Sequence, residues 1–458
     1  MTAQGTESSS ALTRRQALGA TAATAAAVAL DADAAGASAP RRRPPALGTG
    51  GVPMEPAAVA ALAKRVGKGE PVAFVDLAAV DRNCDVLLAF SRQTGMAWRP
   101  AFKTMESPDL LAYVLAKLDH PRAMVHHLRT LPQALERVPS GTDFLMGYPP
   151  SLGELEAYVT TKPHRERRHK LRINVDSLAL LRALDSLSKR SARRLPLDVV
   201  LEIEDFRGGI VPGEELAEAL RILRAAKDRL RLGALLCYDT LAAANGDQTW
   251  RKAAAANAQR RIAEARAQIG EQAGDFVDLG GLIVNGPGSA GYRNWAGSDA
   301  ANEFSAGSAV LFANYLDSGY DTEGLHKALY LCAPVLRIPA HTVGGLPAGL
   351  PPELPGGMEI ALIKAGGWPT GNNPTLSKIV HPEGVQESSV AGIGYGRGAN
   401  SSGMILAPSG SVELGDYVVE TCQQVMEGQD YFGALNAARE GRVRAVWPTL
   451  TRWSSARR

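Results

Sequence analysis

Between residues 72 and 286 the chain repeats one pattern, a short apolar run of strand-forming residues followed in most cases by a longer stretch with helical spacing. The runs are VAFVDL (72–77), WRPAFKT (98–104), AMVHHL (123–128), DFLMGYP (143–149), LRINVDS (171–177), LDVVLEIED (197–205), LGALLCY (232–238) and FVDLGGLIVNG (276–286). Strands alternating with helices build parallel sheets, and eight of them predict an α/β fold of the (β/α)8 TIM-barrel type. The separators agree. EELAEALRILRAAKDRL (214–230) and WRKAAAANAQRRIAEARAQIG (250–270) carry apolar positions three and four apart with charges between, as outer helices do.

After about residue 300 the texture changes to Gly and Pro turns between the strand-like runs ALYLCAPVLRIPA, MEIALIKAGG, VELGDYVVETC and GRVRAVWP, which predict a mostly β C-terminal domain. With 458 residues, the chain is long enough for more than one domain. The expected division is a leader at 1–39, a linker and leading helix at 40–69, a barrel at 70–300 and the β domain at 301–458. Within the second segment, Glu55 to Lys68 has helical character.

The leader contains TRRQALGATAATAAAVAL (13–30), two arginines before a mild apolar run, which is similar to a twin-arginine export signal. Gln16 to Leu30 is too short to cross a bilayer of about 30 Å as a helix, so no retained membrane anchor is expected. Ala35 and Ala37 offer a cleavage site, with the mature chain starting near Ser38 in the periplasm or outside the cell. The implied partner is the twin-arginine export machinery, which passes folded proteins and suits one that takes up a cofactor before export.

The 50 basic and 47 acidic residues nearly cancel and form no long basic tract, which argues against a nucleic-acid partner and for a small neutral or zwitterionic one. Cys84, Cys237, Cys332 and Cys422 are scattered without a CxxC pair and are expected as thiols, most of them buried, that build no metal site alone.

Two features point to chemistry. Lys103 interrupts an apolar run at an expected strand end, where barrel enzymes place their working groups. In a partly apolar pocket a lysine amine is favoured neutral, as attack on an aldehyde requires; the alternative is a snorkelling surface lysine. The second is VNGPGSAGY (284–292), a glycine-rich turn after the expected last barrel strand, either a phosphate cradle or a plain tight turn.

A reactive lysine at the start of a barrel, a phosphate cradle at its end and a β domain beyond resemble the fold-type III pyridoxal-phosphate enzymes, with an alanine racemase-like barrel. The nearest likeness is to the D-threonine aldolase and D-serine dehydratase family, carried in order by PVAFVDLAAVDRN, RPAFKT, FLMGYP, EIEDFRGG, LCYD, VNGPGS and NEFSAGSAVLF. The resemblance spans roughly residues 70–320. It implies pyridoxal 5'-phosphate as cofactor, held by Lys103 as a Schiff base, with Asn285, Gly286, Gly288 and Ser289 around the phosphate. Arg207 or Tyr238 would face the pyridine ring, Arg207 being the favoured partner of its nitrogen. It further implies a small amino-acid substrate, a D-amino or β-hydroxy amino acid, and a homodimer.

The departures concern a divalent metal. The family binds one through a histidine and a following cysteine or aspartate in its β domain. Here LGDYVVETCQQVMEG (414–428) holds Cys422 but no histidine, and all eight histidines precede it. His381 is a remote substitute. The histidines that usually flank the lysine are replaced by Ala101 and Met105. Retro-aldol cleavage by a lyase is therefore expected alongside two alternatives. One is a metal-free racemase or dehydratase, the other a non-catalytic protein that binds pyridoxal phosphate or an amino acid.

Overall fold

Strand-forming residues at two-residue spacing build most of the strands near their expected places, and what positions the site is how they pair. A computed structural model describes residues 52–105, 107–128, 131–160, 169–190, 196–204, 206–243, 247–317, 321–339, 357–364, 378–387, 403–421, 430–433 and 445–448. The expected export leader, the linker up to residue 51, His164, His341 and Cys422 lie outside these residues.

The predicted leading helix is Pro56–Gly67, opened by a proline in its first turn, where a missing N–H costs nothing, and left through Lys68 at φ 51°. Next comes β1 (Val72–Val75), then the barrel strands β2 (Ala97–Trp98), β3 (Arg122–Val125), β4 (Asp143–Met146), β5 (Lys170–Val175), β6 (Leu197–Glu202), β7 (Leu230–Leu236), β8 (Ile283–Gly288) and β9 (Glu303–Ser305). These eight pair in parallel in the order β2-β9-β8-β7-β6-β5-β4-β3. The ring closes where the Met124 N–H donates to the Pro100 carbonyl at 2.8 Å and Ala101 bridges Met124.

The outer helices sit where the apolar spacing puts them, Glu214–Ala225 burying Leu216, Ala219, Leu220 and Leu223, and Gln248–Ala273 burying Ala255, Ala258, Ile262, Ala265 and Ile269. Asp76, Ser107 and Ser177 cap the helices Leu77–Thr94, Pro108–Leu115 and Leu178–Ser188 by accepting backbone N–H bonds.

Along each strand, alternate residues point outward to the helices and inward. The inward residues form two tiers under the mouth. At the N-terminal strand ends lies a polar floor: Arg99 holds Glu303 through Nε–Oε2 at 2.7 Å and Nη2–Oε1 at 2.9 Å, Arg122 reaches Glu303 at 3.1 Å, and Arg99 and Arg172 both reach Asp143. Above it, Ala101, Met124, Leu145, Val200, Ala234 and Leu236 form an apolar plug.

The mostly β C-terminal part is a second sheet, with β10 (Leu329–Arg337), β11 (Met358–Ile363), β12 (Lys378–His381), β13 (Gln386–Glu387), β14 (Gly403–Pro408), β15 (Tyr417–Thr421), β16 (Asp430–Gly433) and β17 (Ala445–Pro448). The four predicted runs contain β10, β11, β15 and β17. Its pairs are antiparallel except β1 with β16.

Here two expected strands change places. The run at 72–77 is outside the barrel, since β1 pairs with β10 (Val72 opposite Cys332) and with β16. The eighth barrel strand is instead β9, at 303–305, beyond the expected end of the barrel segment. An apolar four-residue strand buries both faces equally well in either sheet, and its partner comes from more than 250 residues away. Cys84, Cys237 and Cys332 are buried thiols.

Candidate active site at the barrel mouth

The C-terminal strand ends gather residues from separate parts of the chain. After β2 the backbone reaches Pro100, which has no N–H to continue the ladder, and turns into a single 3-10 turn, Phe102–Thr104. Lys103 therefore sits just past the strand rather than in it. Its side chain is exposed to the mouth, and the neighbouring Phe102 is buried. The surrounding walls, and after them the charge of Arg207, lower the Lys103 amine from the ordinary lysine range. Gly307, just past β9, allows this turn to pack closely, because a Cβ there would stand 2.3 Å from Thr104 Oγ1 and 2.6 Å from the Ala101 carbonyl.

Arg207 is presented by a tight return after β6. The Ile210 N–H donates to the Glu202 carbonyl at 2.7 Å and the Glu204 N–H to the Ile210 carbonyl at 3.1 Å. Gly208 and Gly209 make the return at φ 110° and 122°, and a Cβ at Gly209 would collide with the Ile203 and Glu204 backbone at 2.7 Å. Arg207 Nη2 donates to Glu202 Oε1 at 2.6 Å, and the other carboxylate oxygen accepts from Asn174 Nδ2 at 2.8 Å. The guanidinium lies 5.0 Å from the Tyr238 ring and 5.9 Å from the Tyr148 ring. Arg207, Tyr238 and Lys103 are thus brought together from three strand ends.

The glycine-rich segment differs from the expected turn, because β8 runs on through Gly288 and is the seventh barrel strand rather than the last. Asn285 is fully buried in the wall, exchanging hydrogen bonds with Ser305 at 2.9 and 3.1 Å. Gly286 packs against Trp295, whose ring would meet a Cβ at 2.8 Å. Gly288 and Ser289 form the rim. A Cβ on Gly288 would come 2.3 Å from the Tyr238 ring. Ser289 Oγ accepts from the Ala309 N–H at 3.1 Å and keeps its own O–H to donate.

Several residues of the mouth had no assigned role from sequence. Glu202 and Asp239 stood inside the quoted segments EIEDFRGG and LCYD, which were the signal available. Asp239 is buried, accepting from Trp295 Nε1 at 3.1 Å and from the Gly288 N–H at 3.4 Å, so it ties the rim strand to the turn behind it. His126 follows β3, and nothing local in VHHL distinguished it from its neighbour.

The mouth suits a flat, anionic aldehyde cofactor. It offers an amine lowered toward neutrality, a cation facing an aromatic ring, and a rim where only glycine lets that ring lie against the backbone. Among the described residues no group of three or more His, Cys, Asp or Glu is placed to hold a metal ion. No helix among them is long and apolar enough to cross a membrane.

The model of the alanine racemase N-terminal domain matches residues 75–314, more than half of the 458. No curated protein matches the sequence. Among solved structures, D-threonine aldolase from Filomicrobium marinum superposes with a TM-score of 0.65 at 18% identity over 84% of this chain and 95% of that one. D-threo-3-hydroxyaspartate dehydratase from Delftia sp. HT23 gives 0.62 at 18% over 83% and 97%. An alanine racemase-like protein from Idiomarina loihiensis gives 0.59 at 15% over 83% and 96%. At such identities the likeness speaks for the fold.

Proposed function

This chain belongs to the alanine racemase N-terminal domain family of fold-type III pyridoxal-phosphate enzymes, and from that premise we propose that it is a D-threonine aldolase-like lyase acting on D-amino or β-hydroxy amino acids. The observation that carries this reading is the convergence of Lys103, Arg207, Tyr238 and the Gly288–Ser289 rim at one mouth. In the same reading the protein is exported by the twin-arginine route to the periplasm and works as a homodimer.

Lys103 would hold the cofactor carbonyl, Arg207 and Tyr238 would flank the ring, and Gly288 and Ser289 would hold the phosphate above Asn285 and Gly286 in the wall. Bound pyridoxal phosphate supplies an electron sink for a bond broken at the substrate's Cα. The protein's own part is positional and electrostatic. Glu202 fixes the Arg207 guanidinium, so its charge stays beside Lys103 and favours the neutral amine. Once freed by the substrate amine, Lys103 stands at the mouth to carry a proton to or from Cα.

A second reading, metal-free racemisation, is favoured by the absence of histidine from 414–428. One experiment separates them: load the protein with pyridoxal phosphate and offer D-threonine. A visible absorbance band with release of glycine and acetaldehyde supports the lyase, and the band with inversion at Cα alone supports the racemase. Lys103→Ala and Lys103→Arg should both lose the band, because neither side chain offers an amine that can become neutral. Retention of the band by Lys103→Arg would refute Lys103 as the anchor.

A further inference from the structure

His126 has no part in the arrangement above, although it stands in the same mouth. It lies just past the end of β3, two residues beyond Met124 of the apolar plug, and its ring and Met124 both face Gly147, with Lys103 close enough for its charge to act on the ring. Room for the ring is made by Gly147, where a Cβ would stand 2.9 Å from His126 Nε2. Nδ1 is buried without a hydrogen-bond partner. A histidine kept for packing would have that nitrogen satisfied. Nε2 lies over Gly147, past the end of β4, beside Met124 of the plug.

We propose that His126 is the general base for the substrate's β-hydroxyl, an assignment that rests on the lyase reading given above. Nε2 takes the hydroxyl proton, the O–H electron pair becomes the new C=O bond at Cβ, and the Cα–Cβ bond breaks with its pair passing to Cα. The hydroxyl proton passes from His126 to Lys103, which delivers it to Cα, so a β-hydroxy amino acid leaves as glycine and an aldehyde with both side chains restored and no other reactant consumed. Burial, then the charges of Lys103, His127 and Arg207, hold His126 well below the ordinary histidine range, so its resting form is the neutral one. A substrate carboxylate entering beside Arg207 adds negative charge and makes the imidazole a stronger base as it binds.

The test uses the full chain loaded with pyridoxal phosphate. His126→Gln should keep the visible band and lose about 10²–10⁴-fold in kcat on D-threonine, the usual worth of a general base. Exchange of the α-proton of D-alanine in D2O, a substrate without a β-hydroxyl, should continue at the unsubstituted rate. Cleavage at an undiminished rate overturns the assignment, and so does joint loss of cleavage and exchange, which would mark a positioning role. An independent readout is NMR of histidine-labelled protein, where His126 should stay neutral from pH 6 to 8 and shift upward on adding D-alanine. A His126 signal that does not respond to D-alanine, and so does not meet the substrate, overturns the proposal. If the unsubstituted protein binds the cofactor and exchanges D-alanine but leaves D-threonine intact, the lyase reading and this assignment fall together. Cleavage by both proteins sinks His126 alone.

Discussion

Gly288→Ala puts the cradle to a quantitative test. Gly288 ends β8 with a backbone outside the left-handed region, so alanine brings no backbone strain and its effect is purely steric. The added Cβ would stand 2.3 Å from Tyr238 Cε2, 3.0 Å from the phenolic oxygen and 3.1 Å from Cζ. Carbon contacts settle near 3.5–4.0 Å, so the ring must withdraw by roughly 1.2–1.7 Å. It cannot do so without disturbing its packing on Arg207, 5.0 Å away and anchored to Glu202. Overpacking costs about 1–3 kcal/mol and a disturbed cation–π contact about 0.5–1 kcal/mol. A combined effect of about 2 kcal/mol corresponds to pyridoxal phosphate binding roughly 30-fold more weakly. The assay is titration with pyridoxal phosphate, read from the visible band. In a Tyr238→Ala background the same substitution should cost less than about threefold, because the colliding ring is gone. Unchanged affinity in Gly288→Ala, or an equal loss without the ring, would refute the steric argument.

Arg207→Gln removes the second cause that lowers the Lys103 amine, after burial, so the pH dependence of cofactor attachment should move to higher pH; an unmoved profile contradicts the coupling. Asp143 is half-buried, which alone would raise its carboxyl, but Arg99 and Arg172 hold it below the ordinary carboxylate range. Its contribution to stability is present above about pH 4 and lost as pH falls through its folded value, so Asp143→Asn should be less stable at pH 7 and show a flatter acid limb in urea titrations. A parallel acid limb in the two proteins would disprove that linkage. On the twin-arginine route proposed above, replacing Arg14 and Arg15 together by lysine should leave the precursor in the cytoplasm, read by cell fractionation, because such a pair is recognised by a receptor rather than by charge; normal export would refute that route.

Much of the local structure was legible. The helical character of 55–68 and the apolar spacing at 214–230 and 250–270 each act within a few residues, so their outcome is written beside them. The sequence also singled out Lys103, Arg207, Tyr238, Gly288 and Ser289, because short ordered segments quote the strand ends on which they sit. Less legible was which nitrogen, carboxylate or ring each would meet. Glu202, Asn174, Asp239 and His126 are ordinary polar residues in strand-like runs until three or more strands bring them to one mouth.

By itself, then, the sequence determined which faces are buried and where chain direction changes, since periods of two and 3.6 and the limits on Pro and Gly are properties of neighbouring residues. Only the tertiary structure decided what buries those faces. The run at 72–75 was given to the second sheet and the three residues at 303–305 closed the barrel. It also moved Asn285 into the wall and left Gly288 and Ser289 at the rim. Pairing partners are chosen by contacts across tens to hundreds of residues, and a strand's own pattern carries no record of them.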